Sequence, residues 1–238
     1  MLFDDAAVLI QLLRGQSGCG THAERLEAFY APQAARYDTF RARLLHGRRE
    51  LIDLLDPLPG ERVVELGGGT GANLEWFGAR LARLRSFELV DICPALLDVA
   101  RRRSAALRNV RIVRADAALY QPQAPVDSVY FSYALTMIPD WERAIENAIA
   151  MLKPGGKFGV VDFYVSAADP LPQRVRHGAL TRWLWPRWFA HDGVHVSHRH
   201  LDTLLECLEV TTLLERDAPI PYLPLARVPY YVFVGTKR

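Results

Sequence analysis

The chain has 238 residues, 50% of them hydrophobic, 10% aromatic and 24% charged. That is enough apolar material for the core of one large α/β domain, and it excludes a disordered chain or a peptide-sized scaffold. Twenty-nine Lys and Arg against 27 Asp and Glu leave a formal charge of +2, too weak a field to draw the whole chain onto nucleic acid, so any basic surface must be local. Three cysteines, Cys19, Cys93 and Cys207, are widely spaced and never form a Cys-x-x-Cys pair. This argues against a disulfide framework and a zinc ribbon, and for a reducing compartment. The longest uncharged stretch, 128–139, has 12 residues, short of the roughly 18 apolar residues of a spanning helix. Asp4 and Asp5 stand where a secretory signal carries its basic region, so a cytoplasmic location is the expectation.

In chain order, residues 4–13 read as a short helix opened by an acidic cap and closed at Gly15. Leu26, Phe29, Tyr30, Tyr37, Phe40 and Leu44 form a helical stripe interrupted at Pro32, and both tyrosines share one face. A further helix covers 49–55 before Pro57 and the turn Pro59-Gly60. The pattern then changes. Short β-branched runs at 62–66, 87–91, 110–113, 126–131 and 157–163 alternate with helices at 70–83, 94–107 and 140–152, which implies βαβ units and a parallel sheet. Lys153-Pro154-Gly155-Gly156 stops the last of these helices and turns the chain into the fifth strand. Beyond Tyr164 the alternation lapses, then resumes with a helix at 197–208 and strands at 210–216 and 229–236.

The first strand runs straight into Glu65-Leu66-Gly67-Gly68-Gly69-Thr70-Gly71-Ala72-Asn73. Glycines at 67, 69 and 71 let backbone approach a ligand closely in a strand-to-helix turn. Gly67, Gly69 and Ala72 also satisfy the G-x-G-x-x-A of dinucleotide-binding folds, and Asp91 lies 20 residues after Gly71. The glycines alone therefore leave a nicotinamide oxidoreductase open. Glu65 ahead of the first glycine, some 60 residues before strand one and a hairpin after strand five favour another assignment.

This arrangement resembles the class I S-adenosylmethionine-dependent methyltransferases, whose motif is acid-x-Gly-x-Gly-x-Gly. The resemblance implies an α/β, Rossmann-like fold with a mostly parallel seven-stranded sheet, an antiparallel C-terminal strand, N-terminal helices and a helical insertion after strand five. It divides the chain into an N-terminal helical cap (1–58), a cofactor-binding core (59–163), an aromatic and basic insertion (164–196) and a completing helix and hairpin (197–238), all one structural domain. It further implies that Glu65, Leu66, Gly67, Gly68, Gly69 and Gly71 border the cofactor and that Asp91, beside Ile92, accepts both ribose hydroxyls. Asp116 would accept from the adenine amino group beside the Ala117 backbone, with a helix N-cap as the competing role. Ser132 and Tyr133 would lie near the sulfonium, and Met137 near the adenine or in plain core.

Strand four ends Tyr130-Phe131-Ser132-Tyr133-Ala134, without the Asn-Pro-Pro-Tyr or Asp-Pro-Pro-Tyr usual in enzymes that methylate exocyclic amines of bases. This leaves small molecules, lipids and protein side chains as acceptors. Arginine is interleaved with aromatic residues at 36–49 and again at 174–189, where Trp183, Trp185 and Trp188 are three of the five tryptophans. That composition suits an anionic membrane surface; a helical insertion packed on the core is the competing reading. Phe29-Tyr30-Ala31-Pro32-Gln33, Tyr37-Asp38, Leu45-His46-Gly47-Arg48, His191-Asp192-Gly193-Val194, Pro221-Tyr222-Leu223-Pro224 and Arg227-Val228-Pro229-Tyr230-Tyr231 resemble the bacterial diacylglycerylhomoserine N-methyltransferases of betaine-lipid synthesis. That family implies three successive methylations of a lipid-linked homoserine amine, and a partner enzyme that makes the acceptor. Tyr37 and His46 are the candidate catalytic residues, with Tyr37 and Arg48 also facing the cofactor. Tyr30, Tyr164, His191 and Arg227 are candidates for the acceptor pocket. His191, His195 and His198 have helix-like spacing, but Gly193 among them and the lack of an accompanying cysteine argue against a metal. A soluble small-molecule or quinone methyltransferase is the alternative acceptor reading.

Overall fold

A computed structural model describes residues 20–31, 43–220 and 223–238. The helix expected at 4–13, Tyr37 and the arginine-rich stretch up to residue 42 lie outside the described residues. Helix α1 (His22–Tyr30) opens with a capping box, in which Thr21 Oγ1 accepts from the Glu24 N–H and Glu24 accepts from the Thr21 N–H at 2.7 Å. Then follow α2 (Arg48–Leu55), β1 (Arg62–Leu66), α3 (Leu74–Phe77), α4 (Ala79–Arg83), β2 (Ser86–Asp91), α5 (Pro94–Ser104), β3 (Val110–Arg114) and β4 (Val126–Ser132). A 3-10 turn (Leu135–Met137), α6 (Trp141–Met151), β5 (Leu152–Phe163), α7 (Ala179–Ala190), α8 (Arg199–Cys207), β6 (Glu209–Ile220) and β7 (Leu223–Thr236) complete the order.

The seven strands form one sheet in the order β3-β2-β1-β4-β5-β7-β6. The first five run parallel, while β7 is antiparallel to both β5 and β6. Alternate residues supply two apolar layers. Val63, Phe87, Leu89, Tyr130 and Val161 meet α2 through α5 and the Trp185 and Phe189 side of α7 on one face. Val64, Leu66, Val90, Phe131 and Val160 meet α6 and α8 on the other. This is a Rossmann-like three-layer fold in which helices cover both faces of the sheet.

Three expectations need correction. The single helix expected at 70–83 begins only at Leu74 and breaks at Gly78, because the glycine turn consumes its first residues. The fifth strand begins at Leu152, directly after α6: Leu152 pairs with Val126 and, past a register shift, Lys157 pairs with Ser128. The glycines at 155 and 156 therefore lie within an irregular strand. The hairpin strands run past the expected 210–216 and 229–236, since β6 and β7 pair from Glu209 with Thr236 to Ile220 with Leu223, and the ladder continues past Pro219 and Pro229 instead of ending at the prolines.

Candidate active site

The carboxyl ends of β1, β2 and β4 frame a cavity of 230 Å³. It occupies the crevice where the strand order reverses, between β1 and β4, the place where open α/β sheets take ligands. Its first wall is the glycine turn, laced to β2 by Gly67 and Gly68 N–H groups that donate to the Val90 carbonyl at 2.8 and 3.1 Å. Gly67 holds φ +72, and a Cβ there would come within 2.4 Å of the Ala134 Cβ, so only glycine lets the turn lie against the chain leaving β4.

Asp91 closes β2. Its Oδ2 accepts from the Gly69 N–H at 2.8 Å and its Oδ1 from the Cys93 N–H at 2.9 Å. The backbone thus orients both oxygens, and each keeps lone-pair capacity for a ligand hydroxyl. Burial raises the carboxyl's pKa, opposed by those N–H donors. Glu65 on β1 is also buried, and Asn73 Nδ2 donates to its Oε1 at 2.6 Å. Desolvation pushes Glu65 up to about 7, countered in part by Asn73, the Tyr130 hydroxyl and the Arg48 guanidinium.

At the end of β4, Tyr133 takes φ +54, a strained conformation for a bulky residue. The surroundings hold it there: its N–H donates to the Val161 carbonyl at 2.7 Å, its hydroxyl to the His46 carbonyl at 2.7 Å, and its ring lies 4.6 Å from Phe163. The following 3-10 turn is tied to β5 by Asp162, whose Oδ1 accepts from Thr136 Oγ1 at 2.7 Å and whose Oδ2 accepts from the Thr136 N–H at 3.2 Å. Burial pushes that carboxyl up to about 6.

Helix α1 covers the opening. Leu26, Phe29 and Tyr30 pack on Cys93 and Leu96, and the Tyr30 hydroxyl donates to Met137 Sδ at 3.3 Å. Glu27 accepts from the Ala95 N–H and the Cys93 thiol, both at 3.1 Å, at the start of α5 where the helix dipole favours an anion. His22 lines the cavity, its pKa lowered by burial and by Arg25 against the opposing charge of Asp116.

Among the residues expected at the cofactor, Arg48, Glu65, Gly67, Gly68, Gly69, Asp91, Ile92, Asp116, Ala117, Ser132 and Tyr133 line this one cavity. Leu66 packs in the layer on the opposite sheet face, and Gly71 closes the turn with its N–H on the Gly68 carbonyl at 3.0 Å. Asp116 Oδ1 accepts from the Ala118 N–H at 2.8 Å, capping a turn while facing the cavity. Tyr30, expected on the acceptor side, lines it as well.

Four other candidates are placed elsewhere, and Tyr37 lies outside the described residues. The His46 ring stands 6.3 Å from that of Tyr230, and only its carbonyl serves the site, through Tyr133. Tyr164 follows Phe163 by one residue and so enters the opposite layer, its hydroxyl donating to Glu215 at 2.7 Å. His191 is exposed at the end of α7, and Arg227 is exposed on the hairpin, donating to the Asp217 carbonyl at 2.7 Å. Sequence reasoning missed Asn73 and His22. Asn73 had a signal, an amide directly after the glycine turn; His22 had none, because α1 meets Asp116 only through the tertiary fold.

The cavity fits S-adenosylmethionine. Buried Ser132 Oγ and Asn73 Oδ1 line it with no hydrogen-bond partner among the described residues. A Cβ on Gly69 would stand in open cavity, meeting only Leu96 at 3.7 Å. Asp91 offers a diol acceptor and Asp116 an amine acceptor.

Residues 18–211 match the methyltransferase domain family. The ubiquinone/menaquinone biosynthesis C-methyltransferase UbiE of Vibrio vulnificus is 33% identical over 147 residues, covering 58% of this chain and 56% of that protein. The chain thus spans little more than half the length of that relative. Among solved structures, N-methyltransferase NodS from Bradyrhizobium japonicum, in complex with S-adenosyl-L-homocysteine, superposes with a TM-score of 0.65 at 15% identity over 92% of this chain and 99% of that one. Haemonchus contortus Phospholethanolamine N-methyltransferase 2, in complex with phosphomonomethylethanolamine and S-adenosylhomocysteine, gives a TM-score of 0.68 at 12% identity over 92% and 60%. The dinucleotide alternative falls away with the family match, and the chain belongs to the methyltransferase domain family.

Proposed function

We propose that the acceptor is the amine of a lipid-linked homoserine, methylated in successive turnovers to a betaine head group. The observation that carries this reading is the charge layout of the cavity: Arg48 stands on its wall together with Ser132, Tyr133 and the carboxylate of Asp140. A zwitterionic amino-acid head group needs both a cation for its carboxylate and lone-pair acceptors for its amine. A quinol ring has hydroxyl donors for such acceptors but no carboxylate for the cation, so Arg48 is the group that separates the two.

S-adenosylmethionine supplies an electrophilic methyl group on a sulfonium. The chain supplies position. Asp91 and the glycine turn fix one end of the cavity, and the strained Tyr133 defines the other. Because its hydroxyl proton is committed to the His46 carbonyl, the Tyr133 oxygen keeps lone-pair capacity for an amine N–H in the first two turnovers. The tertiary amine of the third has no N–H once neutral and is aligned by the shape of the site, and alignment is where most of the rate in an in-line displacement arises. An α-amine with an ordinary pKa of about 8 must lose its proton before it attacks, and a buried site disfavours the ammonium.

A second reading has its own support, since the UbiE relative is a C-methyltransferase of quinone biosynthesis. One experiment separates the two. The protein is incubated with methyl-labelled S-adenosylmethionine and detergent micelles carrying either diacylglycerylhomoserine or a demethylated prenylquinol, and the lipids are read by mass spectrometry. One, two and three added methyl groups on the homoserine lipid are expected. Label confined to the quinol ring overturns the amine assignment.

A further inference from the structure

Helix α7 is built inside out for a surface helix. Its inward side offers Trp185 and Phe189 to the core. Its outward side carries Leu180, Trp183, Leu184, Arg187 and Trp188, at spacings of three, four, seven and eight that put all five on one face. Leu180 is 71% exposed, Trp183 54% and Trp188 51%, and Leu171 of the preceding segment is 62% exposed. Contiguous exposed apolar surface of this kind marks an interaction site.

We infer that this face docks on an anionic lipid bilayer. Charge selects the partner. Between residues 170 and 190 there are four arginines and no acid. Arg174 is spent on Glu215 at 2.9 Å, Arg176 lies 3.9 Å from Asp169 just ahead of this segment, and Arg182 donates to the His177 carbonyl at 2.9 Å, while the Arg187 guanidinium lies 4.9 Å over the Trp183 ring, at the centre of the apolar face. A guanidinium among indoles suits the headgroup layer, where phosphate meets the cation and each ring keeps one wet and one apolar edge. A symmetric contact with a second copy would instead bury Arg187 with no acid on the same face to pair it.

Placement gives the docking a purpose. Phe189 stacks on Phe163 at 4.7 Å, and Phe163 packs on Tyr133 at 4.6 Å, so two ring contacts join the docking helix to the cavity wall. A lipid acceptor would raise its head group into the cavity without leaving the bilayer. That consequence rests on the lipid-acceptor reading; the docking does not.

The test uses the whole chain and vesicles without any methyl acceptor, made of phosphatidylcholine alone or with phosphatidylglycerol. Co-sedimentation with the anionic vesicles and a blue shift of tryptophan emission are expected, both weakened by salt. The triple variant Leu180→Ser, Trp183→Ser, Trp188→Ser should partition about tenfold more weakly or worse, with melting temperature and calorimetric affinity for S-adenosylmethionine unchanged. No recovery of the native chain with anionic vesicles overturns the proposal, as does equal recovery of the variant. Sedimentation velocity showing a dimer that the variant dissolves would assign the face to a second copy and overturn it too. With no acceptor present, none of these results depends on what the enzyme methylates.

Discussion

The floor of the cavity and its cover are held by different kinds of contact. The floor is made of strand ends inside the sheet: Glu65, Asp91 and Tyr133 each have backbone or side-chain partners contributed by a second element, and the turn between them cannot accept a Cβ at Gly67. Among the described residues, the cover, α1, meets the rest through a small apolar cluster, the Glu27 contacts to α5 and the Tyr30 contact to Met137. Floor geometry is therefore inseparable from folding, whereas the cover can loosen while the sheet stays intact. Stability differs across a structure in this way when buried area is unequally shared.

Changes in the floor should damage stability and binding together. The largest effect is expected for Gly67→Ala, where a left-handed φ combines with the 2.4 Å approach to Ala134; overpacking plus backbone strain amounts to on the order of 4 kcal/mol. Urea unfolding should show that loss alongside a collapse of S-adenosylmethionine affinity in calorimetry. Full stability with lost affinity would detach the floor from the fold and break the comparison.

Glu65 gives the next effect through pH. Its carboxyl, at about 7 when folded against an ordinary 4.5, is penalised when charged, so its stabilising contribution is complete below pH 4.5 and is lost as pH rises through 7. Relative to the wild type, Glu65→Gln should gain roughly 2 to 3 kcal/mol between pH 5 and 8. Parallel unfolding free energies for the two proteins across that range would show that the buried carboxyl does not carry the pH dependence.

Much of the floor was legible because its signals are local. Glycine spacing, an acid two residues before the first glycine and acids at or near the ends of strands two and three sit within short windows, and the fold brings them to one cavity. The misplaced candidates fail for a local reason as well: Tyr164 is one residue past Phe163, and strand alternation sends neighbours to opposite layers. The outward face of α7 was visible as composition, yet which tryptophans face solvent depended on helical phase, since Trp185 is buried between exposed Trp183 and Trp188. His22 and Glu27 were invisible because their partners, Asp116 and Cys93, are distant in sequence and meet them only when α1 crosses the cavity mouth.

The smallest effect, and the one that sharpens the comparison most, belongs to Glu27. Its carboxylate takes the Ala95 N–H at the first turn of α5 and the thiol of Cys93, a thiol that burial and the neighbouring acids push up to about 12 and so keep protonated as a donor. Glu27→Ala removes both contacts and the favourable charge at a helix start without opening a hole in the sheet. Because α1 is a separate small cluster, the loss should appear as a looser cover: cofactor dissociation about fivefold faster, equivalent to about 1 kcal/mol, with the unfolding midpoint nearly unmoved. Stopped-flow release of S-adenosylmethionine and thermal unfolding of the same sample measure the two sides. A midpoint that falls with the faster release would make α1 part of the cooperative core; faster release alone makes it the element that sets how long the cofactor stays.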